Sequence, residues 1–147
     1  MRYTQRGVTL IELLTVVVIV AILASIAVPS YRSYLLRAQR TDATTALLRI
    51  QSGMEKHLIQ FGSYTDDLTG QTKDGGLGLT AISEQGNYDL KIDLDKPKAG
   101  FYTASAKARN DKGQKDDTRC ALFTVDYSGL RHAEDSGGAD RTTECWR

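Results

Sequence analysis

The hydrophobic positions of the chain form one long run near the start and short alternating runs towards the end. Residues 8–28 are almost entirely apolar, and as a helix they would extend about 31 Å, enough to cross the roughly 30 Å core of a bilayer. Glu12 is the one charged residue within this run. Because a carboxylate at mid-membrane costs about 2.5–3.5 kcal/mol on insertion scales, we expect Glu12 to require a partner.

Beyond Pro29 the apolar residues recur at steps of three and four, as in an amphipathic helix. Pro29 is expected to kink or loosen this helix without ending it, since it removes one backbone hydrogen bond. Gly62 follows the last periodic residue and is a typical helix stop. The pattern predicts one helix over residues 8–61, with an apolar stripe at Leu47, Ile50, Met54, Leu58 and Phe61.

Alternation with a period of two in the second half of the chain predicts an antiparallel β-meander. The glycine-rich segment Gly62–Gly86 is expected to be the loop that precedes it. A sheet with one apolar face needs a cover, and the stripe on the second half of the helix is available, so the fold class is α+β. The predicted strands are Asn87–Asp95, Phe101–Arg109 and Arg119–Tyr127, with a turn at Pro97 and Gly100 and a short last segment at Leu130–Ala133.

Charge and cysteine content narrow the functional classes. The net charge is +1, and two of the 19 basic residues, Arg2 and Arg6, precede the apolar run, so no global basicity indicates a nucleic-acid partner. Both cysteines, Cys120 and Cys145, follow that run. If the run delivers the rest of the chain across a membrane, the pair is expected to form a disulfide, which would close a loop of about 25 residues.

These patterns leave three interpretations of the N-terminus open. A secretory signal would be removed after the small residues of Ser25–Ala27, and a plain signal anchor would not be cut. The third interpretation places the cut after Gly7, on the cytoplasmic side, and retains the apolar helix. The carboxylate of Glu12 and the continuation of the helix past Pro29 favour the third.

No set of residues indicates catalysis, so we expect no enzymatic activity. The two histidines, His57 and His132, have no sequence-linked nucleophile and are interpreted as surface residues of a helix and a strand. The acidic loop Asn110–Asp117 contains two lysines and lacks the alternating ligand spacing of a calcium loop. Neither a metal nor a cofactor is therefore expected.

The start of the chain resembles a type IV prepilin. The similarity is carried by Gly7-Val8-Thr9-Leu10-Ile11-Glu12-Leu13, the apolar run, Pro29, Tyr31 and Tyr34, and the helix–loop–meander order. The closing pattern, Cys120-Ala121-Leu122-Phe123 with Gly129 and Cys145-Trp146, is most similar to PilE-type minor pilins. The resemblance implies the type IV pilin fold, in which a long N-terminal helix packs against a small antiparallel sheet with a disulfide-bounded C-terminal segment.

The resemblance also implies how the chain is processed. Residues 1–7 would be a leader that prepilin peptidase removes after Gly7, with methylation of the new amine of Val8. Residues 8–29 would be the transmembrane and assembly helix, and residues 30–147 the periplasmic, later extracellular, globular domain. Val8 departs from the phenylalanine that the family most often has at this position. Pilins are held in the inner membrane as single-pass proteins, and the assembly machinery then extracts them into the pilus fibre, or fimbrium.

Cleavage would provide a partner for Glu12. The α-amine of Val8 would be positive or partly so at about pH 7. A carboxylate in the first turn also suits the positive end of the helix dipole. In a packed fibre core the amine of one subunit could pair with Glu12 of its neighbour, where a low dielectric strengthens the attraction. Glu12 is therefore predicted to be an assembly residue.

These expectations favour a structural protein, a minor pilin that initiates assembly of the pilus or joins it and contacts other pilin subunits. The first alternative is a pilus-borne receptor for DNA or for a surface, and the second is a pseudopilin of type II secretion. DNA binding is possible but not favoured, because acidic residues dilute the basic ones. The basic candidates are Lys107, Arg109, Lys112, Lys115, Arg131, His132, Arg141 and Arg147.

Overall fold

The computed structural model describes residues 8–95 and 100–146, so that Gly7, Pro97 and Arg147, which carry sequence-based expectations, lie outside the described residues. Short 3-10 turns at Thr72–Asp74 and Gly113–Asp116 lie in the loops. The elements show the α+β architecture that the sequence predicts. They are α1 (Leu10–Phe61), β1 (Tyr88–Leu94), β2 (Tyr102–Ala108), β3 (Leu122–Asp126), β4 (Arg131–Glu134) and α2 (Thr142–Cys145).

Helix α1 contributes to two compact units, one ending at Leu35 and the other beginning at Leu36. In the first unit the apolar side chains are exposed to solvent, with Leu10 at 83% and Ile26 at 69%. By length and composition, α1 contains a stretch that could cross a membrane. The helix continues through Pro29, as expected, and the kink at that residue stays a prediction.

The four strands of the second unit pair in sequence order, β1-β2-β3-β4, and all three pairs are antiparallel. The predicted meander is therefore confirmed, including the short last segment as β4. The third strand begins at Leu122, later than predicted, because Arg119 and Cys120 belong to a turn. In that turn the Cys120 amide donates a hydrogen bond to the carbonyl oxygen of Asp117 (3.2 Å).

The apolar stripe of α1 is confirmed in its first half and only partly in its second half, where Leu58 is half-buried and Phe61 is exposed. Leu47, Ile50 and Met54 are fully buried beneath the sheet, whereas Phe61 is 42% exposed. His57, three residues after Met54, takes the next inward position. The core is completed by Ala43, Leu68, Tyr88, Ile92, Tyr102, Ala104, Ala106, Cys120, Phe123, Val125, Ala133 and Cys145.

The interpretation of His57 as a surface residue is wrong. Its ring is buried, with Nδ1 2.6 Å from the carbonyl oxygen of Ser63 and Nε2 3.0 Å from that of Gly75. The ring also contacts Phe61, with centroids 4.6 Å apart. His57 is buried because it binds the loop that follows α1 back onto the helix. His132, in contrast, is partly exposed on β4, so its surface interpretation holds.

A buried carboxylate fixes the end of the same loop. Asp42 Oδ2 accepts hydrogen bonds from Ser83 Oγ (2.6 Å) and Asn87 Nδ2 (3.1 Å), and Oδ1 accepts from the Gln85 amide (3.1 Å). These bonds hold the loop so that Ile82 forms an isolated bridge with Asp89 on β1. The free edge of β1 is thereby partly covered, as the edges of soluble sheets usually are.

The Tyr102 hydroxyl generates the first testable prediction, because it is buried and has no hydrogen-bond partner within residues 8–95 and 100–146. Burial, reinforced by Tyr64 and Glu55, raises the pKa of Tyr102 to about 12. The folded pKa exceeds the unfolded value of about 10. The phenol of Tyr102 therefore leaves the free energy of unfolding unchanged by titration below about pH 10, and it lowers that free energy as the pH rises towards 12, because the unfolded chain loses its proton first. We expect Tyr102→Phe to be neutral or to stabilise by up to about 1 kcal/mol near pH 7. The gain should grow by roughly 1 kcal/mol near pH 10.5.

Urea unfolding of the chain in detergent micelles, followed by circular dichroism at both pH values, checks this expectation. Tyr127→Phe is the matched control, because Tyr127 is 43% exposed. A loss of more than about 1 kcal/mol for Tyr102→Phe near pH 7 would show instead that the hydroxyl makes a stabilising hydrogen bond.

Candidate assembly and binding sites

Thr9 and Glu12 close the first turn of α1. The amide and the hydroxyl of Thr9 both donate to Glu12 Oε2, at 3.2 and 3.1 Å, and the Glu12 amide donates to Thr9 Oγ1 at 3.3 Å. This reciprocal arrangement is a capping box, which satisfies N–H groups that have no acceptor within the helix. The partner that the sequence requires for Glu12 is therefore supplied in part by Thr9. The Thr-x-x-Glu spacing was visible in the sequence and could have revealed it.

The capping box leaves one carboxylate oxygen unused. Both Thr9 bonds end on Oε2, and Oε1 has no hydrogen bond within the described part of the chain. Val8 directly precedes the box and is 76% exposed, while Ile11 and Leu13 beside it are 68% and 62% exposed. The start of α1 thus presents a single free acceptor oxygen within an apolar surface.

Two other polar side chains of the apolar segment are satisfied within the helix. Thr15 Oγ1 donates to the Ile11 carbonyl and Ser25 Oγ to the Ile22 carbonyl, both at 2.7 Å. Such back-bonding makes hydroxyl groups acceptable in a medium without water. Glu12 is therefore the residue of this segment that retains an unmet polar requirement.

Cys120 and Cys145 form the predicted disulfide, with their Cα atoms 5.8 Å apart. Next to the bridge, Trp146 packs edge to face against Phe123, with ring centroids 5.8 Å apart. The indole Nε1 donates to the carbonyl oxygen of His132 (2.9 Å). The bridge therefore holds the end of the chain against β3 and β4.

The C-terminal segment also covers the outer edge of β4. The Arg141 amide donates to the Ala133 carbonyl oxygen (2.8 Å), and the Ala133 amide donates to Thr142 Oγ1 (2.9 Å). Asp135 stabilises the turn of the intervening loop, since the backbone amides of Ala139 and Gly137 both donate to its carboxylate. These hydrogen bonds hold the pKa of Asp135 below the usual range. The edge of β4 is consequently not open for pairing with another strand.

Carboxylates hold several of the basic residues that the sequence offered as DNA contacts. Arg109 makes two bonds to Asp111 (2.9 and 2.8 Å), and this guanidinium lowers the pKa of Asp111 to about 2. Arg141 Nε lies 3.3 Å from Asp135 Oδ2. These arginines are therefore less available to phosphate groups than their positions in the sequence suggest.

Arg131 differs from these arginines. Its guanidinium carbon lies 5.2 Å from the centre of the Trp146 ring, and no carboxylate pairs with it among the residues described here. Lys107, Lys112 and Lys115 likewise have no ion pair within the described ranges. Arg131 is therefore an exposed cation that an aromatic ring positions in advance.

A buried ion pair that sequence reasoning missed joins α1 to the loop between β2 and β3. Arg40 Nε and Nη2 bond to the two oxygens of Asp117 (2.7 and 2.9 Å), and Gln114 Nε2 donates to Asp117 Oδ2 (3.0 Å). The partners are 77 residues apart, so no local pattern indicates them. The loop that the sequence considered for calcium thus uses two of its acidic residues, Asp111 and Asp117, in ion pairs with arginines.

Comparison with known families shows two matches. Residues 29–124 match the family model described as "Type IV minor pilin ComP, DNA uptake sequence receptor". Residues 2–28 match the prokaryotic N-terminal methylation motif, and this match includes the expected cleavage position.

Several curated proteins and one solved structure are similar to the chain. A fimbrial protein of Neisseria meningitidis is 31% identical over 117 residues, covering 78% of this chain and 65% of its own length. The major fimbrial protein FimA of Dichelobacter nodosus is 33% identical over 87 residues, covering 59% and 54%. The major pilin PilE1 of Neisseria gonorrhoeae is 31% identical, covering 71% and 59%. The matched region therefore spans 54–65% of the length of these three relatives. A type IV pilin from Shewanella oneidensis aligns with 65% of this chain and 89% of its own, at 17% identity and a TM-score of 0.46.

The disulfide generates the second prediction. Replacing both Cys120 and Cys145 by serine should lower the free energy of unfolding by about 3 kcal/mol, because the bridge closes a loop of 25 residues. Trp146 is the single tryptophan, so its fluorescence reports directly on this segment during denaturant unfolding. Dithiothreitol should destabilise the wild-type chain by the same amount and leave the double variant unchanged. Equal stability of the oxidised and reduced chains would contradict the role given to the bridge.

Proposed function

This chain belongs to the type IV pilins, since their family model covers residues 29–124, and from that premise we propose that it is a minor subunit of a type IV pilus. It would be held in the inner membrane as a single-pass protein and then assembled into the extracellular fibre. Its partners would be other pilin subunits, and we assign it no catalytic role. The observation that carries this proposal is the exposed apolar segment, headed by a carboxylate of which one oxygen has no partner among residues 8–95 and 100–146.

The exposed surface of that segment supports the two environments. Residues from Val8 to Val28 present large apolar side chains to solvent. Apolar surface of this extent is favourable only in lipid or against other protein. The bilayer would cover this apolar surface before assembly, and the packed fibre core would cover it afterwards.

The geometry at Glu12 supports a role in joining subunits. Cleavage after Gly7 by prepilin peptidase would give Val8 a free α-amine, which the peptidase would then methylate. The amine would be charged or partly charged near about pH 7. Glu12 Oε1, which has no hydrogen bond within the described ranges, could accept from the Val8 amine of a neighbouring subunit, while Oε2 would continue to cap its own helix. An uncompensated carboxylate in the fibre core is costly, so this pair would fix the axial register.

A second candidate function is reception of DNA at the pilus surface. The family description names a DNA uptake sequence receptor, and the stacked, exposed Arg131 is a cation suited to a phosphate or a base edge. The ion pairs that hold Arg109 and Arg141 count against a broad basic stripe. A pseudopilin of type II secretion is the remaining alternative, because such proteins share the leader.

The role of Glu12 generates the third prediction, in which two variants separate charge from capping. Glu12→Gln retains a side chain that forms a capping box but removes the charge. Thr9→Ala retains the charge and weakens the cap, which costs about 1 kcal/mol of helix stability. We expect both variants to be cleaved normally, Glu12→Gln to be nearly absent from sheared surface filaments, and Thr9→Ala to be reduced only moderately. Immunoblots of cell and filament fractions measure both steps.

Two outcomes would contradict this assignment. Normal incorporation of Glu12→Gln would show that the carboxylate charge is not needed for assembly. Equal losses for Thr9→Ala and Glu12→Gln would reduce Glu12 to a helix cap.

The DNA candidate generates the fourth prediction. Arg131→Ala should weaken binding of the chain to duplex DNA several-fold and reduce the salt slope by about 0.9, the value expected for one lost phosphate contact. Arg141→Ala is the matched control on the same segment, because its guanidinium is held by Asp135. Fluorescence anisotropy in micelles at several salt concentrations measures both quantities. Absence of DNA binding at low salt would remove the receptor function and leave the structural proposal intact.

A further inference from the structure

A polar groove of about 320 Å³ lies between α1 and α2 in the second unit. One wall is a face of α1 near its entry into that unit, and the other is the short helix that the disulfide holds. No function described above uses this groove. Its lining residues are Arg37, Arg40, Thr41, Thr44, Glu144 and Cys145.

Arg40 brings unused hydrogen-bond donors to the groove. A guanidinium has five N–H donors, and Asp117 engages Arg40 through Nε and Nη2. The remaining donors have no acceptor within the described residues, and the side chain, which is 11% exposed, lines the groove. The groove therefore offers these donors to an acceptor that enters from outside.

The charge of the lining favours an anion. Arg37 is exposed and has no carboxylate partner among the residues that the structure describes. Glu144, the single acidic side chain of the lining, is held by Arg119 (3.0 Å). Thr41 adds a hydroxyl group on the same wall, whereas the Thr44 hydroxyl donates to the Thr41 carbonyl oxygen (3.2 Å). Two guanidinium groups with an adjacent hydroxyl form a set that recognises phosphate oxygens.

The order of residues along the chain indicates the source of that phosphate. Tyr31 and Tyr34 follow the apolar run, as aromatic residues do at a membrane interface, and Arg37 comes next. Eight residues separate Val28 from Arg37, so the chain itself keeps the groove near any membrane that the run crosses. We propose that the groove binds the phosphate-bearing head group of an anionic phospholipid before assembly, an inference that rests on the proposed membrane-held stage.

Native mass spectrometry of the full chain, released from micelles with phosphatidylglycerol or phosphatidylcholine, tests this proposal. We expect phosphatidylglycerol to be retained preferentially, and Arg37→Ala to weaken its binding about fivefold, the effect of one basic residue at an anionic surface. Arg37→Lys should retain most of the binding, because it keeps the charge. Lys56→Ala, an exposed cation farther along α1, is the control and should bind as the wild type does. Arg37 is chosen over Arg40 because loss of Arg40 would leave Asp117 buried without its partner.

Three outcomes would overturn the proposal. These are equal retention of the two lipids, equal effects of Arg37→Ala and Lys56→Ala, and saturable binding of duplex DNA that Arg37→Ala abolishes while lipid retention is unchanged. The last outcome would assign the groove to nucleic acid. Each is distinct from failure of the pilus function, which would appear as absence of the chain from sheared filaments whatever its lipid affinity.

Discussion

The apolar surface of residues 8–28 is the constraint on which the rest of the molecule depends. These side chains are exposed in the first unit, and water is the least favourable medium for them. In the proposed assembly the chain would pass from the bilayer to the fibre core without exposing this surface to water. Glu12 would make these two environments unequal, because a carboxylate oxygen without a partner is costly in lipid and would be satisfied beside a charged amine. A segment that only anchored the protein would gain nothing from this carboxylate.

In the second unit, the polar contacts of α1 hold the long loops on the helix. Three polar groups of α1 do so: Arg40 binds the loop before β3, while His57 and Asp42 bind the middle and the end of the loop between α1 and β1. The disulfide completes this arrangement at the C-terminus. Because each group binds polar partners in the loops that would otherwise lose hydrogen bonds on burial, these contacts specify the loop positions as well as stabilise them.

The sequence predicts the periodic parts of this structure, because periodicity is a local property. Alternation located β1 and β2 to within one residue at each end, and the cysteine count indicated the bridge. The Thr9–Glu12 capping box was equally local and could have been predicted. The pairing of Arg40 with Asp117 could not, since only the folded chain brings them together. His57 was wrongly predicted to lie on the surface. Its imidazole is buried because it contacts two loop carbonyl oxygens, and a hydrophobic pattern predicts only apolar residues at core positions.

The most direct test of the proposed assembly is mass spectrometry of sheared surface filaments, which measures the N-terminal peptide and the abundance of this chain. We predict that the chain is present, that its first residue is Val8 with a methylated amine, and that it is scarce relative to the main subunit. Absence of the chain from the filaments would contradict the proposed assembly into a pilus. An N-terminus that follows Ala27 would show that the apolar segment is a discarded signal, so that Glu12 has no role in the mature protein.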